Sequence, residues 1–264
     1  MSLVDLGEVT ISTRVDGPEG APWIVLSNSL GASLAMWDPQ IAMLANSCRV
    51  LRYDTRGHGH SSAPPGPYSF DQLTGDVIGL MDAMTIERAS FMGLSLGGMT
   101  GLGLALRHPD RFERIICADA RADAPDPFRA MWDDRIAKVQ AGGVEAIADM
   151  TLSTWFTTDW LGAHPQEAAS IRDMVIATPA NGYVACCEAL KTLDYRRQLA
   201  GITIPTMYLG GAEDKGAAPE VMQAMADATP GARYVEIPGA AHVANINAPD
   251  QFNAAIGSFL NLRA

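Results

Sequence analysis

One α/β fold is what this sequence predicts: a mostly parallel twisted sheet with flanking helices and a helical cap inserted between two strands. Three observations predict it. Short apolar runs alternate with segments of helical spacing over the first 121 residues. That alternation lapses from about Ala122 to Leu199, where only helical periods occur. It then resumes, so residues 1–121 and 200–264 read as one core and residues 122–199 as a cap inserted into it.

Each element has its own signal. Val9, Ile11, Thr13 and Val15 alternate with more polar residues, as in an exposed antiparallel edge strand, and Pro18 and Gly20 end it. Trp23 to Leu26 and Val50 to Tyr53 are continuous apolar runs, as expected of strands buried on both faces. Phe70 to Met84 carries Leu73, Val77, Leu80, Met81 and Met84 at helical spacing, with Ser69 as N-cap. Arg88 to Met92 reads as a strand, and Leu96 to His108 as a helix that Pro109 stops. Ile115 to Ala118 is the next strand. In the cap, Ile136, Val139, Val144, Ile147, Ala148 and Leu152 keep the helical period. Thr206 to Gly210 and Tyr234 to Ile237 resume the strands, and Pro249 to Leu262 reads as the final helix.

Composition narrows the class. The chain has 264 residues, 48% of them hydrophobic and 19% charged, which suits a globular protein with a sizeable core. A net charge of −11 argues against a nucleic-acid partner, although local arginines can still receive an anionic small molecule. The first twenty residues hold Asp5, Glu8, Asp16 and Glu19 and no long apolar run, so neither a signal peptide nor a membrane segment is expected. Cys48, Cys117, Cys186 and Cys187 lack metal-ligand spacing, and buried reduced thiols in a cytoplasmic protein are the simplest reading. No nucleotide phosphate loop is found. His58 and His60 lie two apart with no third ligand in view, so neither a metal nor a cofactor is expected. No oligomeric state is signalled.

The chemistry centres on Gly93-Leu94-Ser95-Leu96-Gly97, between a strand and a helix. Glycines two residues either side of a serine allow a sharp strand-to-helix turn, which projects the hydroxyl and aims the helix N-terminus at the reacting atom. A serine hydroxyl needs a base, and the base needs a carboxylate to fix its tautomer and stabilise its charge. Of the five histidines, His242 follows a strand and precedes the last helix, which places it at the same sheet edge as Ser95. His58 also follows a strand, but Gly57 and Gly59 suggest that it shapes its loop. For the carboxylate, Asp214 gives the chain order Ser95, Asp214, His242, the order usual with this turn. Asp119 is its rival, because it ends another strand of the same sheet. Backbone donors for an oxyanion are expected at Leu96, just after the nucleophile, and at Leu30, in the loop after the Trp23 strand.

With those residues in view, the chain resembles the α/β-hydrolase superfamily over nearly its whole length, and most of all the 3-oxoadipate enol-lactonases. The similarity lies in Leu26-Ser27-Asn28-Ser29-Leu30-Gly31, Met36-Trp37-Asp38-Pro39-Gln40 and Leu51-Arg52-Tyr53-Asp54-Thr55-Arg56-Gly57-His58-Gly59. It continues in the Ser95 turn and in Gly182-Tyr183-Val184-Ala185-Cys186-Cys187. Asn28-Ser29 stands where most of the superfamily has His-Gly. The resemblance implies an α/β-hydrolase fold, a triad of Ser95, Asp214 and His242, oxyanion donors at Leu30 and Leu96, and a small enol-lactone with an acetate arm as substrate. A lactonase or carboxylesterase on another ester is the alternative, followed by a carbon–carbon bond hydrolase and by a ligand receptor with an idle triad. An anionic arm calls for an arginine: Arg121, Arg135 or, less favourably, Arg56. Trp132, Trp155 and Trp160 in the cap either supply an apolar wall or pack in the core. The chain departs from the family at Ala218 before Pro219, at Asn247 in place of a usual glutamate, and at Asp119-Ala120-Arg121 in place of a more neutral Asn-Thr-like segment, where an acid near the pocket mouth would repel an anionic substrate.

Overall fold

The computed structural model describes residues 1–262. Eight strands form one sheet: β1 (Ser2–Asp5), β2 (Thr10–Asp16), β3 (Trp23–Ser27), β4 (Arg49–Tyr53), β5 (Ala89–Leu94), β6 (Phe112–Ala118), β7 (Thr206–Gly211) and β8 (Arg233–Ile237). Their spatial order is β1-β2-β4-β3-β5-β6-β7-β8. The β1–β2 and β2–β4 pairs are antiparallel and all the others are parallel. β3 therefore lies between β4 and β5, and the direction of winding reverses there. Ligands of open α/β sheets bind at such a reversal, outside the carboxyl ends of the strands.

Eleven α-helices are described: α1 (Asp38–Leu44), α2 (Phe70–Ala83), α3 (Leu96–Arg107), α4 (Asp126–Gly142), α5 (Glu145–Trp155), α6 (Thr158–Ala163), α7 (Pro165–Ile176), α8 (Ala180–Lys191), α9 (Pro219–Ala228), α10 (Ala244–Asn247) and α11 (Pro249–Leu260). α4 to α8 run consecutively between β6 and β7. Apart from one isolated bridge between Asp123 and Asp194, the described residues of that stretch form no β-pairing. α2 starts on a capping box, in which the Ser69 hydroxyl accepts from the Gln72 N–H and the Gln72 side chain accepts from the Ser69 N–H. α11 stops at Leu260 rather than Leu262, because Asn261 adopts a left-handed conformation (φ 57°, ψ 38°).

The sheet edge differs from the sequence expectation. β2 is not an edge strand: β1 covers it, and Ile11, Ser12 and Thr13 are buried. β1 carries no alternation to be read, since Leu3, one of its two large apolar residues, is 66% exposed. All four cysteines are buried and free. No helix among the described residues is long and apolar enough to cross a membrane.

Candidate active site

Ser95 connects β5 to α3 at φ 56°, ψ −114°, a conformation that non-glycine residues rarely adopt. Packing forces the flanking glycines. A Cβ on Gly93 would lie 2.1 Å from the Gly97 carbonyl oxygen, and one on Gly97 would lie 2.2 Å from the Ser27 carbonyl oxygen. The Ser95 N–H donates to the Ala118 carbonyl at 2.8 Å, which locks the turn onto β6.

His242 and Asp214 reach the same point from the loops after β8 and β7. His242 Nδ1 donates to Asp214 Oδ2 at 2.8 Å, and His242 Nε2 accepts from Ser95 Oγ at 2.9 Å. The other Asp214 oxygen accepts from the Gly216 and Ala217 N–H groups at 2.7 and 3.1 Å. Burial raises the Asp214 pKa, but the His242 charge and these hydrogen bonds outweigh it and hold the carboxyl below its ordinary value. Burial also disfavours the His242 imidazolium. The Asp214 charge and hydrogen bond overcome that and lift the ring above the usual histidine value, with a smaller lift from Asp119 and an opposing push from Arg135. The His242 side chain is 12% exposed, so one edge of the ring still faces the cavity.

Leu30 and Leu96 sit where backbone N–H groups are left over. The neighbouring donors are all engaged: Ser29 to Met36 Sδ, Gly31 to His58 Nε2, Ser95 to Ala118, and Gly97 to Asn28. Among the described residues, neither the Leu30 nor the Leu96 N–H has a protein acceptor. His58 holds this loop. It is fully buried, its Nδ1 donates to the Arg56 carbonyl, and its Nε2 accepts from Gly31 at 2.9 Å. Burial lowers its pKa to about 4, so it stays neutral, as an acceptor must. Asn28 also braces the loop, donating to the Tyr53 carbonyl and accepting from Trp37.

A cavity of about 60 Å³ lies over Ser95 and His242, walled by Leu30, Trp132, Arg135 and Trp155. A larger groove of about 760 Å³, between Leu34 and α7, is lined by neither Ser95 nor His242. Arg135, from α4, is 7% exposed and has no carboxylate partner among the described residues. Its guanidinium makes only long contacts, to Tyr183 Oη at 3.3 Å and Thr151 Oγ1 at 3.4 Å, and packs over Trp132. Arg135 Nε and Trp132 Nε1 have no hydrogen-bond partner.

The other expected residues fall elsewhere. Arg121 lines the cavity, but its guanidinium is tied to Asp123 and to the Gly216 carbonyl and stacks on Phe128. Arg56 forms a buried two-pronged pair with Asp76, both contacts at 2.6 Å, and so is structural. Trp160 stacks between Phe156 and His164 and does not wall the cavity. Asp119 lines the cavity but is fully buried rather than exposed at its mouth; its oxygens accept backbone N–H groups, and His242 pairs with Asp214 instead.

Two residues are given no role in the site by the sequence. Tyr183 contributes its hydroxyl to the Arg135 side of the cavity. Asn247 accepts from the Ala241 N–H and donates to the Trp155 and Val243 carbonyls, joining the His242 loop to the cap. For Tyr183 the Gly-Tyr-x-x-x-Cys segment was the available signal. For Asn247 the signal was its departure from the family's usual glutamate, but its partners, backbone groups of the His242 loop and of Trp155, could not be read.

A family model described as the alpha/beta hydrolase fold matches residues 22–249. The 3-oxoadipate enol-lactonase 2 of Acinetobacter baylyi is 36% identical over 254 residues, spanning 94% of this chain and 92% of that protein. The crystal structure of the enol-lactonase from Burkholderia xenovorans LB400 superposes with a TM-score of 0.95 at 45% identity, covering 98% of this chain and 100% of that one. A malate-bound thermophilic esterase from Thermogutta terrifontis superposes with a TM-score of 0.90 at 27% identity, covering 97% and 94%.

Proposed function

The chain belongs to the α/β-hydrolase family, and from that premise we propose that it is a serine hydrolase that opens a small carboxylate-bearing enol-lactone through an acyl-enzyme. Its relatives include named enol-lactonases, so 3-oxoadipate enol-lactone is the substrate to try first, with 3-oxoadipate as the product.

In this reading His242 Nε2 takes the Ser95 proton as Oγ attacks the lactone carbonyl carbon. The 2.9 Å and 2.8 Å contacts on either side of the ring support the relay, since Asp214 holds the proton on Nδ1 and stabilises the imidazolium. The carbonyl oxygen becomes an oxyanion and rests on the Leu30 and Leu96 N–H groups, each such donor worth about 3 kcal/mol of barrier. Collapse breaks the acyl C–O bond. The leaving enolate, still part of the acyl chain, takes a proton and becomes a ketone, which does not readily close the ring again. Water deprotonated by His242 then attacks the ester of Ser95 and frees the acid.

One observation carries the substrate class, the unpaired guanidinium of Arg135 in the wall of the reaction cavity. A buried charge without a partner is destabilising by about 3–5 kcal/mol, so its retention fits a ligand that completes the pair. A carboxylate arm suits the Arg135 fork, and Trp132 Nε1 is a free donor beside it. Trp132 and Trp155 would cover the apolar ring. The experiment is steady-state hydrolysis of the enol-lactone by wild type and Ser95→Ala, with mass spectrometry of quenched enzyme. Turnover by wild type, an acyl adduct on the Ser95 peptide and loss of both in the variant are expected. Full activity in Ser95→Ala contradicts the scheme.

A further inference from the structure

Asp119 is a buried carboxylate that the relay leaves unused. It follows β6 at φ 44°, a left-handed conformation that glycine adopts freely and that few other residues, Asp and Asn among them, adopt at some cost. Its Oδ1 accepts from the Gly211 N–H at 2.8 Å and its Oδ2 from the Ala244 N–H at 3.2 Å. Gly211 ends the strand that leads to Asp214, and Ala244 lies two residues after His242. The Asp119 N–H donates to the Leu209 carbonyl at 2.8 Å, and the carbonyl of the preceding residue, Ala118, accepts from Ser95 N–H at 2.8 Å. One dipeptide thus bonds to the three segments that carry the nucleophile, the acid and the base.

In this chain the junction presents two backbone donors, and Asp119 meets them with two acceptor oxygens. Both partners are backbone donors, so an asparagine would match one and turn its NH2 against the other. The charged or titratable groups around Asp119 are Asp214 and His242 from the loops, Cys117 on β6 and Tyr234 on β8. Burial and the Asp214 charge push the Asp119 carboxyl well above its ordinary value, against a smaller pull from His242 and the two N–H donors.

We propose that Asp119 is a positioning residue, whose two oxygens fix the spacing of the Asp214 and His242 loops and so align the imidazole with Ser95. The inference rests on the reading of Ser95, His242 and Asp214 as the hydrolytic relay. Asp119 borders the cavity, but its bonds run to the Gly211 and Ala244 N–H groups, so it acts through the two loops.

The test compares wild type, Asp119→Asn and Asp119→Gly as full-length proteins, each also in an Asp214→Asn background. Glycine relieves the left-handed strain and so offsets part of the lost bonding, which guards against an unfolded variant. Rates are taken per folded molecule, from thermal melts. Asp119→Asn is expected to lower kcat about 10- to 100-fold with KM within about twofold, and Asp119→Gly to lower it at least as far. In the Asp214→Asn background the same changes are expected to lower kcat by less than about threefold, because the alignment they support is already lost. The low-field NMR signal of the His242 Nδ1 proton is expected to shift or broaden in the single variants. Wild-type kcat and an unmoved proton signal in folded Asp119 variants overturn the inference and leave the relay intact. So does an undiminished penalty in the Asp214→Asn background. Retained activity in Ser95→Ala overturns the relay instead.

Discussion

The strand-end loops and the cap face each other across one cavity, and they obey different rules. On the loop side, backbone geometry decides identity. Ser95 sits in a strained turn that glycines at 93 and 97 alone permit, and His242 is gripped by Asp214 on one side and Ser95 on the other. On the cap side, Trp132, Arg135 and Trp155 project from helices with no special backbone, and what marks the first two is a missing partner. The contrast teaches that reaction type is written into loops by sterics and hydrogen bonds. Substrate class is written into helices by what those side chains leave unsatisfied.

The largest way to break the loop side is Asp214→Asn. The variant keeps the shape but loses the charge that orients and stabilises His242, and kcat is expected to fall about 10⁴-fold, measured on the enol-lactone. Loss of less than tenfold would say that another group orients the ring. The cap side is expected to break more gently. Trp132→Ala or Trp155→Ala removes apolar wall and is expected to lower kcat/KM for the enol-lactone about 10- to 100-fold while the acyl-enzyme still forms.

The pH dependence sharpens the loop side further. Only neutral His242 can accept the Ser95 proton, and Asp214 holds the ring above the ordinary imidazole value. The kcat/KM profile is therefore expected to fall as pH drops through a pKa above 6.5, the ordinary value. In Asp214→Asn that limb moves to lower pH, because burial then acts without the opposing charge.

The smallest effect falls on stability, not rate. His58 has its pKa lowered from 6.5 to about 4 in the folded chain. The unfolded chain binds the extra proton first, so stability falls as pH drops from 6.5 toward 4 and the loss levels off below that. At about 1.4 kcal/mol per pKa unit, the loss approaches roughly 3 kcal/mol. Urea melts across that range would show the slope in wild type and a shallower one in His58→Gln, whose amide oxygen can still accept from Gly31.

Local signals made the loop side legible in the sequence. The G-x-S-x-G turn, the Ser69 cap and the post-strand placement of His242 and Asp214 each depend on a few adjacent residues. The cap side was legible only as a choice among arginines. Asp123 lies two residues from Arg121, but nothing local says that Arg121 also reaches Gly216, that Arg56 is tied to Asp76, or that Arg135 is tied to no acid. Those outcomes rest on contacts up to 95 residues apart. The same limit applies to Asp119: its position at a strand end was readable, but its burial against Gly211 and Ala244 depends on β7 and α10. β1 escaped because it pairs through its backbone and exposes most of its side chains.

The most direct measurement pairs two substrates, the carboxylate-bearing enol-lactone and its methyl ester, with wild type and Arg135→Met. If Arg135 reads the carboxylate, wild type prefers the free acid by about 100-fold in kcat/KM, and the variant loses that preference while still turning over the ester. An unchanged preference in the variant, or none in wild type, would contradict the account.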